Sequence, residues 1–169
     1  MKLRYSIALS LPLASASAMG ADLALKLDVP QLNVAEYHRP YIAAWLENSD
    51  QKVVANLAVL YDTKKKDNAG TKWLKDMRQW WRKTGRDVAM PLDGVSGATK
   101  APGEATLSVA KGALDNLPAG QYTVMVEAAR EAGGREVVKV PLQWPPKSAQ
   151  NVTGQGKEEL GAVVVQLKP

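Results

Sequence analysis

The chain has 169 residues, of which 46% are hydrophobic and 23% charged, the composition of an ordinary folded domain rather than a disordered one. It contains no cysteine and one histidine, which excludes disulfides, thiol catalysis, cysteine-ligated zinc, iron–sulfur clusters and a His-rich metal site. The formal charge of +5 is mild, and no basic run sits in a nucleic-acid-binding motif, so no nucleic-acid partner is expected.

At the start of the chain, Lys2 and Arg4 precede an apolar stretch from Ile7 to Ala14 and the small residues Ala14-Ser15-Ala16-Ser17-Ala18. This order of charge, short apolar run and small residues is that of a secretory signal peptide, read over residues 1–21 with cleavage near Ala18–Ala21. The apolar run is too short to span a bilayer, and no later segment is long and apolar enough. The mature chain is therefore expected to be exported to the periplasm without spanning the membrane itself. Losing Lys2 and Arg4 lowers its formal charge by two, to +3. Residues 22–169 are read as one domain.

Leu23, Leu25, Leu27 and Val29 alternate with Ala24, Lys26 and Asp28, the period of a half-buried strand. Tyr41 to Glu47 and Val53 to Tyr61 are strand-like runs joined by Asn48-Ser49-Asp50-Gln51, which reads as a hairpin turn. Ala105 to Val109 forms a short fourth strand. Tyr122 to Ala128 and Glu136 to Leu142 flank Gly133-Gly134, a hairpin signal because both glycines accept positive φ. Gly161 to Leu167 is the seventh strand. Seven short strands imply an all-β fold, an immunoglobulin-like antiparallel β-sandwich. The run Leu117-Pro118-Ala119-Gly120-Gln121-Tyr122 resembles the tyrosine corner of such domains, in which the hydroxyl bonds back to the upstream backbone.

One insertion, at about 64–100, breaks the strand pattern. Trp73, Leu74, Met77, Trp80 and Trp81 fall on one face of an amphipathic α-helix from Thr71 to Thr84, with Lys72, Lys75, Arg78, Arg82 and Lys83 on the others. Thr71 is placed to cap its start, and Gly85 to end it in a left-handed conformation. The three tryptophans read first as core packing, and alternatively as a face that covers a flat aromatic ligand. Lys64-Lys65-Lys66-Asp67 reads as a solvated loop ahead of the helix.

After the helix comes Asp93-Gly94-Val95-Ser96-Gly97-Ala98-Thr99. The stretch has neither P-loop nor dinucleotide-binding spacing. It resembles Asp-x-x-Ser/Thr-Gly-Ala-Thr/Ser, the motif at which flavin transferases of the ApbE type attach FMN covalently. Asp93, Ser96, Gly97, Ala98 and Thr99 fill every specified position. The resemblance implies a phosphoester between the FMN phosphate and the hydroxyl of Thr99. That hydroxyl is a weak nucleophile without an activating base or metal, which the transferase and its Mg²⁺ would supply. Gly94, Gly97 and Ala98 keep the loop slim, and Gly97 is expected to take backbone angles closed to other residues. Asp93 and Ser96 are either recognition contacts or turn formers. Trp73, Trp80 and Trp81 are the aromatic candidates for contact with the flavin ring.

The signal peptide, the strand His38-Arg39-Pro40-Tyr41-Ile42-Ala43-Ala44-Trp45, the Trp-rich helix and the DGVSGAT loop together resemble a family of predicted periplasmic proteins often found with PepSY-type membrane proteins. The two resemblances imply an exported electron-transfer flavoprotein, a redox carrier rather than a stand-alone enzyme. Its implied partners are an ApbE-type flavin transferase and a PepSY-type membrane reductase. The competing reading is a cofactor-free immunoglobulin-like module that docks an envelope partner. A hydrolase is disfavoured, because Ser96 lacks the G-x-S-x-G context and His38-Arg39-Pro40 reads as the lead-in to a strand.

Overall fold

The structure is a computed structural model and describes residues 21–110 and 112–169. The signal peptide therefore lies almost wholly outside the described residues. Among the described residues nine strands occur in chain order: β1 (Asp22–Val29), β2 (Tyr41–Asn48), β3 (Val53–Tyr61), β4 (Ser96–Ala98), β5 (Gly103–Ser108), β6 (Gly120–Ala129), β7 (Arg135–Trp144), β8 (Gln150–Gln155) and β9 (Ala162–Lys168). They form a four-stranded sheet in the order β5-β1-β9-β8 and a five-stranded sheet in the order β4-β3-β2-β6-β7. The all-β sandwich expected from the strand periodicities is the fold observed.

The first core lies between the sheets. The alternating Leu23, Leu25, Leu27 and Val29 of β1 meet Ile42, Ala44 and Leu46 of β2, Val124 and Val126 of β6, and Val163 and Val165 of β9. Burying each such side chain contributes roughly 1.5–3 kcal/mol. The tyrosine corner is present: the Tyr122 hydroxyl donates to the Pro118 carbonyl at 2.8 Å.

A second core covers the outer face of the five-stranded sheet. The connection from β3 to β4 crosses that face and returns parallel to β3, as a parallel pair requires. Leu74, Met77 and Trp80 of this connection pack on Ala43 and Trp45 of β2, Val59 and Tyr61 of β3, and Met125 and Ala129 of β6. Strand β2 is thus buried on both faces, which explains its nearly unbroken apolar run.

The single α-helix expected over 71–84 is instead two pieces. A 3-10 segment runs Lys66–Asp76, the chain breaks at Met77, and the α-helix α1 covers only Arg78–Lys83. The fully buried residues Leu74, Met77 and Trp80 recur every three positions, a spacing shared by 3-10 and α geometry, so the sequence pattern does not separate them. Thr71 does not cap α1; its hydroxyl donates to Asn68 O at 2.8 Å. The cap comes from β6, where the buried Glu127 carboxylate accepts from the backbone N–H groups of Gln79 and Trp80 at 3.1 and 2.7 Å.

Two glycine expectations are also corrected. Gly85 is not left-handed; a Cβ there would lie 2.5 Å from the Trp80 ring, so its role is close approach. In the β6–β7 hairpin the positive φ belongs to Ala132, at 52°. Gly134 instead leaves space for the Glu159 carboxylate, which a Cβ would approach to 2.7 Å. Strands β4 and β8 were not expected from the sequence. Gly154 of β8 lets its backbone sit against β7, since a Cβ would come within 2.7 Å of Val138 and 2.9 Å of Val140.

Candidate functional site

The Asp93–Thr99 loop contains β4, one of the two edge strands of the five-stranded sheet. Ser96, Gly97 and Ala98 pair in parallel with Val59, Leu60 and Tyr61. The turn ahead of β4 is built by the motif itself. Ser96 Oγ accepts from the Leu92 N–H at 2.9 Å, and the Ser96 N–H donates to Leu92 O at 2.9 Å. Ser96 is therefore a turn former. Gly94, at φ 66°, is the left-handed residue of the loop, not Gly97. Gly97 is a strand residue whose missing side chain accommodates Leu60, 3.1 Å from where a Cβ would sit. Asp93 and Gly94 are exposed on the turn.

Thr99 follows β4 directly, and its N–H donates to Tyr61 O at 3.2 Å. This pins a half-buried threonine where β3 ends. Ala98 and Thr99 form part of the wall of a cavity of about 640 Å³. The other walls come from Tyr41 at the start of β2, Tyr61 at the end of β3, Trp73 of the 3-10 segment and Tyr37 of the β1–β2 loop. The volume lies within the usual range for small-molecule sites, roughly 300–1,000 Å³.

The aromatic walls are held in place. Tyr41 and Tyr61 meet edge to face, with ring centroids 6.3 Å apart and planes at 61°. The Tyr41 hydroxyl donates to Gly70 O at 3.1 Å. Burial, foremost, raises its pKa above the ordinary tyrosine value, so it stays protonated. Lys65 Nζ stands 3.9 Å from the centroid of the Trp73 ring, a cation–π contact. The expected solvated lysine run is thus exposed at Lys64 and Lys66, while Lys65 is drawn into the site.

At the mouth, His38 Nε2 lies 3.1 Å from Glu36 and Nδ1 lies 3.8 Å from Glu131. The histidine links the β1–β2 loop to the β6–β7 turn. Asp62, Asp76, Arg39, Lys64, Thr63 and Ala129 complete the lining.

Of the three candidate tryptophans, only Trp73 borders this cavity. Trp80 is fully buried in the second core, where its indole N–H donates to Asn56 Oδ1 at 2.9 Å. Trp81 leans on Trp80, with centroids 6.3 Å apart, and packs at the edge of the same core. Tyr37, Tyr41 and Tyr61 were not singled out from the sequence. They sit far from Thr99 along the chain, and only the parallel β3–β4 pairing brings them to it. Among the described residues no helix is long and apolar enough to cross a membrane.

No curated protein and no solved structure matches the chain. A family model described as "Predicted periplasmic protein (DUF2271)" matches residues 22–162, a span that contains the second core, the motif loop and the cavity. The chain belongs to this family of predicted periplasmic proteins.

Proposed function

We propose that this periplasmic protein is an electron-transfer flavoprotein that carries FMN covalently on Thr99. An ApbE-type transferase attaches it, and the carrier exchanges electrons with a PepSY-type membrane reductase. The observation that carries the reading is the position of Thr99: the acceptor threonine of a fully matched motif directly follows an edge strand and borders an aromatic-walled cavity. The residues fit the group in three respects. Thr99 is only half-buried, the loop ahead of it is slim, and its own backbone is anchored to β3. The threonine oxygen displaces the leaving group from an activated flavin phosphate held by the transferase, the hydroxyl proton passes to the transferase's base, and the resulting phosphoester leaves the isoalloxazine ring free. A covalent tether suits an exported carrier, because it keeps the cofactor at high local concentration where lost flavin is not readily replaced.

The test is intact-mass measurement of protein produced with and without an ApbE-type transferase. The expected result is an added FMN less one water, present only with the transferase and absent from Thr99→Ala. An unmodified mass in both preparations, or the same adduct in Thr99→Ala, overturns the reading. Colourless, unmodified protein would leave the cofactor-free immunoglobulin-like module in its place.

A further inference from the structure

We infer that the cavity beside Thr99 is a binding site for a planar, fused-ring aromatic group, with Trp73 as the surface on which it stacks. The inference deepens the flavin reading and rests on it for the identity of the ligand, which is the isoalloxazine ring. Two features of the cavity select this chemical class.

The first is the wall. Tyr41, Tyr61 and Trp73 reach the same cavity from two strands and the 3-10 segment. Aromatic faces converging from separate elements make a slot suited to a flat ring. Trp73 is half-buried and keeps surface on the cavity, unlike Leu74, Met77 and Trp80 on the same segment, which are fully buried. Trp81, also half-buried, packs against the second core, whereas Trp73 packs into neither core.

The second is charge. The lining carries the cations Arg39, Lys64 and Lys65 against the carboxylates Asp62, Asp76 and Glu131. The balance favours a neutral ring edged with hydrogen-bonding groups over a polyanion or a cation. Oxidised isoalloxazine is such a ring, and the single negative charge of the tethering phosphodiester stays at the Thr99 end. Lys65 now covers Trp73 from 3.9 Å. Its long flexible stem lets the ammonium move aside for the ring.

The experiment uses unmodified full-length protein from a transferase-free host, titrated against free FMN while flavin fluorescence is followed. Saturable quenching is expected, with half-saturation on the order of 0.1 mM or tighter, because a tether already provides millimolar effective concentration. Trp73→Leu is expected to weaken binding about tenfold, the scale of one stacking contact. Ala98→Trp is expected to weaken it as well, by filling the cavity from an exposed wall position that the fold tolerates. Circular dichroism verifies that each variant is folded. Linear, non-saturating quenching of the parent protein overturns the inference. So does unchanged affinity in a folded Trp73→Leu or Ala98→Trp variant. Intact mass after co-expression reads the tether separately: an FMN adduct without saturable binding sinks this inference alone, and saturable binding without an adduct sinks the attachment alone.

Discussion

The backbone N–H of Trp80 donates to the carboxylate of Glu127 at 2.7 Å, so a β6 side chain starts the helix of the outer layer. The same carboxylate accepts from Gln79 N–H at 3.1 Å and from Arg135 at 2.8 Å, and it is wholly buried. Truncation to Ala leaves helix donors unmatched under the second core. Glu127→Ala is expected to cost about 3 kcal/mol in urea denaturation, and Glu127→Gln less, because one acceptor oxygen remains. Trp80 emission should shift to the red in Glu127→Ala before global unfolding. Equal stability of Glu127→Ala and the parent would refute this role.

Glu136 provides a pH-dependent fastening. Its carboxylate accepts from the backbone N–H groups of Lys157, Glu158, Glu159 and Leu160 at 2.6–3.0 Å. Desolvation pushes its pKa upward, but the four hydrogen bonds outweigh it, and the folded-state value falls below the ordinary 4.5. A depressed folded value means that the stabilisation is complete above the unfolded-state pKa and is lost as pH falls through the folded one. Glu136→Gln is therefore expected to be less stable than the parent by about 1.5–3 kcal/mol at pH 7, with the difference shrinking below about pH 4. A pH-independent difference would exclude this linkage.

Arg130 and Glu159 form a buried two-pronged pair, at 2.9 and 3.0 Å, and Glu159 also accepts from Gly134 N–H at 2.8 Å. Hydrogen bonding to Glu159, foremost, raises the Arg130 pKa, so the guanidinium stays charged throughout the accessible pH range. Arg130→Met strands a buried carboxylate and is expected to cost about 3–5 kcal/mol. The double variant Arg130→Met/Glu159→Met should lose less than the sum of its singles in a thermodynamic cycle. Strict additivity would show that the two groups are not coupled.

The tyrosine corner allows a milder substitution. Tyr122→Phe keeps the ring in the first core and removes only the hydrogen bond to Pro118 O. The expected loss is about 1 kcal/mol, read from the urea midpoint at unchanged slope. A loss several times larger would mean that the ring itself had moved.

Much of the sandwich was legible because its strands alternate: Leu23 to Val29 shows on paper the face that it buries. The corner at Tyr122 was legible because its bond spans four residues. What was hidden depends on contacts across the chain. The start of α1 depends on Glu127, which no local capping pattern records. Strand β8 carries almost no apolar alternation, only Val152, so its sequence reads as loop. The motif loop showed Thr99, yet its aromatic neighbours Tyr41 and Tyr61 occupy strand positions that also read as ordinary core. They became neighbours of Thr99 through the parallel return of β4, a long-range pairing with no signature of its own.

That return stitches β4 to the sheet along one margin only, through three residues and beside a single strand. Such a hem unpicks at the cost of a few hydrogen bonds while both cores stay shut. Amide protons of Gly97 and Thr99 should consequently exchange with solvent sooner than those of Ala44 or Val126. For the attachment proposed above, this would let the transferase reach the threonine of an already finished protein, with no need to act on the nascent chain.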